Sequence, residues 1–340
     1  MGPCGACSIP VIDRDQSSRP AGSRATADHA HAWRLSVESI LVVGVETVVG
    51  ANLAAHFAER HDVSAVSFGA PVRIEGCHHA DASASPSDTI LSSRAHRVIY
   101  CGPESRSSWD PATDAALSKT PASQAALWAR VAQDCGATFV MISSDAVFTG
   151  PWIFHDEDSA HACESWGANR IRAAETAAIA ACPEALIVRT NAFGWSPTGS
   201  GWVESILQSI ELRRSVDQDP IRHSTPLLAT DLADIVERAV SEGLTGLYHV
   251  AGAERVSPDQ FARRLADQFD LPWLAIRRDA TSAESTEGFG AAECSLQTKK
   301  IRKALCVAMP MLSEGLDRLN AQRFNGHRDL MLPLLEEAAA

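Results

Sequence analysis

Apolar residues in this chain fall into short runs separated by stretches of helical spacing, and that alternation sets the expected fold. The first run, Ser39-Ile40-Leu41-Val42-Val43-Gly44, is β-branched and closed by glycine, the pattern of a buried strand. Behind it, Val49, Leu53 and Phe57 recur every four residues and so share one face of a helix. Strand runs then recur over 64–68, 97–102, 137–143, 185–190 and 247–251, with helical stretches over 122–135, 164–181 and 230–242. Such alternation predicts a parallel sheet covered on both faces, a Rossmann-type doubly wound α/β fold. A ligand crevice is expected beyond the carboxyl ends of its strands.

The pattern also divides the chain. Residues 1–36 are rich in Ser, Ala, Arg, Asp and Gly without apolar periodicity, which predicts a disordered leader. Residues 37–195 form the expected Rossmann domain. After 195 the strand signals thin out and turns such as Ser196-Pro197-Thr198-Gly199 enter. Residues 196–321 therefore read as a smaller C-terminal substrate lobe that lends the sheet a strand near 247–251 and is closed by helices over 258–269 and 312–319. Residues 322–340 read as a tail helix.

Composition narrows the function. Hydrophobic residues make up 45% of the 340 and charged residues 21%, enough for a sizeable core. The net charge of -12 argues against a general nucleic-acid binder, which needs a basic surface against phosphates. No apolar run approaches the roughly 20 residues that span a bilayer, and residues 1–34 lack the apolar core of a secretory signal, so no membrane contact is expected. The nine cysteines, an odd number scattered from Cys4 to Cys306, read as reduced thiols of a cytoplasmic protein. Cys4 and Cys7 form a lone CxxC, and Cys77-His78-His79 is a second small cluster. A zinc site wants four ligands in paired spacing, so no metal is expected.

Candidate chemistry begins at Gly44-Val45-Glu46-Thr47-Val48-Val49-Gly50, between the first strand and first helix. In a dinucleotide fold the first glycine permits the tight turn and the last lets helix and strand pack closely. The middle one lets the backbone approach the pyrophosphate at a helix N-terminus. Here Gly44 and Gly50 are present and Thr47 stands in the middle. Its Cβ crowds a diphosphate, while its hydroxyl suits a helix cap. A tight βα turn with no ligand accounts for the same residues equally well. The second strand ends in Ser67-Phe68-Gly69, without the carboxylate that holds the ribose hydroxyls of NAD. Arg73 follows, either a partner for the 2′-phosphate of NADP or a solvated surface arginine.

Further along, Phe139-Val140-Met141-Ile142-Ser143-Ser144-Asp145-Ala146-Val147-Phe148-Thr149-Gly150 resembles the "STDYVFDG" segment of the dTDP-4-dehydrorhamnose reductase (RmlD-like) family, an extended branch of the short-chain dehydrogenases/reductases. Similar segments follow in order: Ala185-Leu186-Ile187-Val188-Arg189-Thr190 ("ALIVRT"), Thr225 to Ala233 ("SPTYAEDLA"), Gly246 to Gly252 ("GIYHVAG") and Ala292 to Ile301 ("SLDTSKL"). The resemblance runs from about residue 39 to 320.

That resemblance implies reduction of a 4-keto nucleotide-sugar with NADPH or NADH. A helical Tyr-x-x-x-Lys pair would supply the proton, with a Ser or Thr assisting. The i, i+4 spacing sets tyrosine and lysine on one helix face, where the ammonium lowers the phenol's pKa. In this chain Trp166 falls at the tyrosine position and Arg170 at the lysine position. Ser144 matches the Ser/Thr, Asp145 its neighbour, and Ala192 stands near the family's aromatic after Arg-Thr. An indole N–H donates a hydrogen bond but does not titrate. The chain's two tyrosines, Tyr100 and Tyr248, lie on other elements. Replacement acids would be His155, His161 or a water held by Ser144. The expected dinucleotide contacts are Gly44, Thr47, Val48, Val49, Gly50, Arg73, Cys101, Gly102, Ser143 and Arg170. Substrate contacts are expected from Ser144, Asp145, Arg189 and Arg222, the arginines serving anionic groups or simply pairing with acids.

Three readings follow. The first is a degenerate relative, a pseudoenzyme that binds NADP, NAD or a nucleotide-sugar, with a protein partner or as a homodimer, and acts as a binding or regulatory protein. The regulatory β subunit of methionine adenosyltransferase, in the same branch, is such a case. The second is a working NADPH-dependent dTDP-4-dehydrorhamnose reductase with an unusual proton donor. The third is a structural partner that binds neither ligand, which Thr47 and the missing ribose carboxylate favour.

Overall fold

A computed structural model describes residues 37–331 except 70, 71, 82, 122, 279–289 and 291. The expected leader, the Cys4/Cys7 pair and residues 332–340 of the expected tail helix lie outside the described residues. The chain runs β1 (Ser39–Val43), α1 (Val48–Ala58), β2 (Asp62–Val66), β3 (His78–His79), α2 (Pro86–Ser93), β4 (Arg97–Tyr100), α3 (Thr113–Lys119), α4 (Gln124–Asp134), β5 (Thr138–Ser144), α5 (Trp166–Ala181) and β6 (Leu186–Phe193). It continues with α6 (Trp202–Glu211), β7 (Val216–Gln218), β8 (Pro226–Leu228), α7 (Ala229–Ser241), β9 (Gly246–His249), α8 (Pro258–Gln268), β10 (Ile276–Arg278), α9 (Lys299–Leu305) and α10 (Leu312–Ala321).

The main sheet has the order β3-β2-β1-β4-β5-β6-β8, and β9 also pairs with β6. Every one of these pairings is parallel. The long strand β6 carries β9 along Leu186–Arg189 and β8 along Asn191–Phe193, so two late segments extend one edge. A separate two-stranded sheet joins β10 to β7. This is the doubly wound α/β fold that the alternation predicts.

Period-two burial divides the core into two layers. Ile40, Val42, Ile99, Val140, Ile142 and Val188 face the side covered by α1, α7 and α8. Leu41, Val43, Val98, Phe139, Met141 and Ile187 face the side covered by α2, α4 and α5. Successive strand residues point to opposite faces, and each such side chain contributes about 1.5–3 kcal/mol when fully buried. The predicted face of α1 is present, with Val49, Leu53 and Phe57 all buried.

Residues 322–331 form turns and a 3-10 helix over Asp329–Met331 instead of an α-helix. Gly326 adopts a φ of 88°, which breaks helical geometry. Among the described residues no helix is long and apolar enough to cross a membrane. The described cysteines are free thiols.

Candidate functional site

The chain winds outward from β1 through β2 to β3, then returns to place β4 on the other side of β1. The carboxyl ends of β1 and β4 thus form the switch point where such sheets open a crevice. The 44–50 turn leaves β1 here, and Cys101-Gly102 leave β4. Gly44 has a φ of 93°, and a Cβ on it would lie 2.2 Å from the Cys101 carbonyl oxygen. A Cβ on Gly50 would lie 2.2 Å from the Gly44 carbonyl oxygen. Both glycines are required by backbone crowding whether or not a ligand binds.

Thr47 resolves as a cap. Its Oγ1 accepts from the Gly50 amide (3.0 Å) and lies within hydrogen-bonding distance of the Gly44 (2.9 Å) and Cys101 (3.2 Å) carbonyls. The side chain is buried in the turn, and the hydroxyl ties together the ends of β1, α1 and β4. The amides of Val48 and Val49 open α1, where a helix N-terminus favours an anion.

Two adjoining hollows flank this turn. One, of about 560 Å³, is lined by Glu46, Thr47, Phe68, Pro103, Arg106 and Lys119 among others. The other, of about 670 Å³, includes Val48, Trp109, Ser196, Trp202, Asp219 and Arg222. Glu46, Arg106 and Ala112 line both. Each volume is in the range of small-molecule sites. In the second hollow, Trp109 and Trp202 meet edge to face at 5.9 Å. The Thr198 hydroxyl bridges those of Ser196 (2.9 Å) and Ser200 (3.0 Å), which line the same hollow.

The charged groups between the hollows were absent from the sequence expectation. The Glu46 carboxylate accepts from the Phe68 amide at 3.3 Å. Burial raises its pKa, opposed by hydrogen bonds that include Phe68 and Ser67 and by the charge of Arg106. Arg106 itself pairs with Asp110 at 2.7 Å. The signal available in the sequence was an acid inside the glycine turn combined with none at the end of β2.

Most of the expected chemical residues lie elsewhere, Arg222 excepted. Ser144 ends β5, where its hydroxyl accepts from the Ala146 amide (3.1 Å) and donates to Asp145 (3.2 Å). Asp145 is fully buried and accepts from the Ser108 amide (3.1 Å), the hydroxyls of Ser108 (2.8 Å) and Ser224 (2.5 Å), and the Asn191 amide (2.8 Å). Desolvation raises its pKa against those bonds. It joins the loop after β4 to β6 and to the chain before β8, a fold-holding position. Arg189 grips Glu175 through two bonds of 2.9 and 2.7 Å, and Ser143 donates to the same carboxylate at 2.5 Å. Arg222 lines the second hollow and pairs with Asp219 at 3.0 Å.

Trp166 opens α5 and is 57% exposed. Arg170, one turn on, donates to the Leu117 carbonyl (3.4 Å) and to the Thr120 carbonyl, closing the C-terminal end of α3. Its charge also lies beside the buried Glu104. Neither residue lines either hollow. Arg73 is exposed and lines neither hollow. Cys101 and Gly102 are buried beneath the turn, and burial pushes the Cys101 thiol far up. Of the replacement acids, His155 is buried, stacked on Phe148 at 4.5 Å, and desolvation lowers its pKa. His161 stacks on Trp152 at 5.2 Å. Cys77 has its thiol pushed up to about 12 by burial, and no group of three ligands able to hold a metal occurs among the described residues.

The 44–50 turn, the open amides of α1 and the first hollow fit the adenosine-diphosphate half of a dinucleotide. The residues expected to face its nicotinamide are engaged with the fold or with solvent.

Comparison with known proteins adds the lineage. Residues 38–323 match the family model described as the RmlD substrate binding domain. Among solved structures, the dTDP-4-dehydrorhamnose reductase of Bacillus anthracis in complex with NADP is 20% identical, with a TM-score of 0.69 over 84% of this chain and 100% of that one. A hypothetical dTDP-4-dehydrorhamnose reductase of Sulfolobus tokodaii is 22% identical, with a TM-score of 0.65 over 81% and 98%. The dTDP-glucose 4,6-dehydratase of Bacillus anthracis in complex with NAD is 11% identical, with a TM-score of 0.67 over 86% and 100%. No curated protein sequence matches.

Proposed function

Because the chain belongs to the RmlD substrate-binding-domain family, we propose that it is a dinucleotide- and nucleotide-sugar-binding member that no longer reduces its ligand efficiently and acts as a binding or regulatory protein. The carrying observation is Arg170. The guanidinium that replaces the family's lysine is bound to the Leu117 and Thr120 carbonyls. It is therefore not poised beside a proton donor, and the neighbouring indole of Trp166 cannot titrate.

A nicotinamide dinucleotide, when bound, supplies the hydride. The chain's part would be to hold its diphosphate at the Val48 and Val49 amides and to receive a sugar against the Trp109–Trp202 wall, with Arg106 and Arg222 in the same hollow for an anionic group. No Tyr, His or Cys lines either hollow. Loss of a positioned acid lowers a rate by about 10²–10⁴.

Titration with NADH and NADPH, followed by nicotinamide fluorescence, tests the binding half of the reading. The expected result is saturable binding by the unaltered protein, and its absence for both would refute it. The double substitution Trp166→Tyr with Arg170→Lys tests the catalytic half. It should raise ketone-dependent oxidation of the bound dinucleotide above that of the parent.

A further inference from the structure

The geometry points to Glu46 as the ribose-binding carboxylate of this chain, supplied by the glycine turn in place of the acid missing from the end of β2, and selecting NAD over NADP. The inference rests on the dinucleotide reading above. In a doubly wound dinucleotide site an acid at the end of the second strand accepts the ribose hydroxyls, and an arginine there takes a 2′-phosphate instead. In this chain β2 ends at Val66 and continues Ser67-Phe68-Gly69, with no acid.

The carboxylate is nevertheless at that place. Glu46 reaches across from the first turn to accept the Phe68 amide, two residues past the strand. The turn is clamped to the same strand end, because the Gly44 and Val45 amides both donate to the Val66 carbonyl, at 2.8 and 3.1 Å. Glu46 also bonds Ser67. A carboxylate offers roughly four acceptor positions, so three donors (the Glu46 and Phe68 amides and the Ser67 hydroxyl) leave one for a ribose hydroxyl. The side chain lines the first hollow alongside Phe68 and Gly69, where an adenosine ribose would lie over the strand end.

The same placement disfavours a 2′-phosphate. Two anions would meet at hydrogen-bonding range, and the nearest cation, Arg106, is shared with Asp110 at 2.7 Å. Arg73 does not line the hollow. The exposed Lys119 lines the same hollow and can meet the diphosphate or solvent.

The test uses the full chain and reads affinity alone. NADH and NADPH are titrated against the parent and Glu46→Gln, and so are ADP and 2′-deoxy-ADP. Glu46→Gln is nearly isosteric, and a melting curve checks that it folds. The parent should prefer NADH by about tenfold or more, corresponding to about 1.4 kcal/mol. It should also bind ADP several-fold tighter than 2′-deoxy-ADP. Glu46→Gln should abolish the second preference and shrink the first by about tenfold. Equal binding of NADH and NADPH by the parent, or ratios that the substitution leaves unchanged, overturns the assignment and leaves the dinucleotide reading standing. No saturable binding of any of the four overturns both.

Discussion

Thr47 occupies the position where a dinucleotide fold carries a glycine, and its hydroxyl can be separated from its bulk. Thr47→Val keeps the branched shape and removes the oxygen. The Gly50 amide then loses its cap, 3.0 Å away, and the carbonyls of Gly44 and Cys101 lose a shared donor. Loss of an N-cap costs about 1 kcal/mol, and a buried hydrogen bond about another 1 kcal/mol. Together this is about 2 kcal/mol, a fall in melting temperature of roughly 3 °C for a fold of this size. Thr47→Ser keeps both bonds and deletes one methyl, about 0.8 kcal/mol at most. Thermal melts and urea midpoints of the three proteins give the order parent, Ser, Val. If Val proved as stable as Ser, the capping account of this position would be wrong. Thr47→Gly adds a second readout. Glycine caps a helix almost as well as threonine and lacks the Cβ that crowds a diphosphate, so dinucleotide affinity should rise several-fold, while stability falls by about 1 kcal/mol for the lost bond to the Gly44 and Cys101 carbonyls.

Other perturbations probe the buried polar framework. Gly50→Ala places a Cβ 2.2 Å from the Gly44 carbonyl oxygen, and should lower the urea-derived stability by about 3 kcal/mol or more. Arg189→Met strands the buried Glu175 carboxylate at a cost of about 3–5 kcal/mol, whereas Arg189→Met with Glu175→Leu should recover most of that in the same assay. Burial lowers His249 to about 3 and His327 to about 4, from an ordinary 6.5. Both remain neutral in the fold but protonate in the unfolded chain. Their stabilisation is therefore present above pH 6.5 and is lost as pH falls toward those values. Each should contribute a loss of about 2 kcal/mol between pH 8 and pH 5. His249→Gln should flatten that slope in urea titrations across the range.

The central strands were legible because their residues are apolar on both faces and bounded by glycine, as in Ser39–Val43 and Thr138–Ser144. The short strands were not. β3 is two exposed histidines, and β7, β8 and β10 are three residues each, too short for any periodicity to register. The helix α2 carries a clear start in Ser85-Pro86, yet only Thr89 and Ile90 are buried, so no apolar stripe announces it. Amphipathic α6 carries a readable stripe of Val203, Ile206, Leu207 and Ile210, which follows directly on a turn rich in Pro and Gly and was not singled out.

Site positions divide in the same way. The glycines were legible because turn geometry demands them locally. Asp145, Arg189 and Arg170 could be found in sequence but not assigned, since their partners lie 14 to 79 residues away. Glu46 was in view inside the glycine turn, but its place against the end of β2 emerged only from the fold.

A single-turnover experiment tests the loss of hydride transfer most directly. The unaltered protein, saturated with NADH or NADPH, is mixed at neutral pH with a dTDP-4-keto-6-deoxy sugar while nicotinamide absorbance is followed. The account predicts a bound dinucleotide whose absorbance stays flat over the time in which a Trp166→Tyr/Arg170→Lys variant reacts. Rapid, stoichiometric oxidation by the unaltered protein would contradict it.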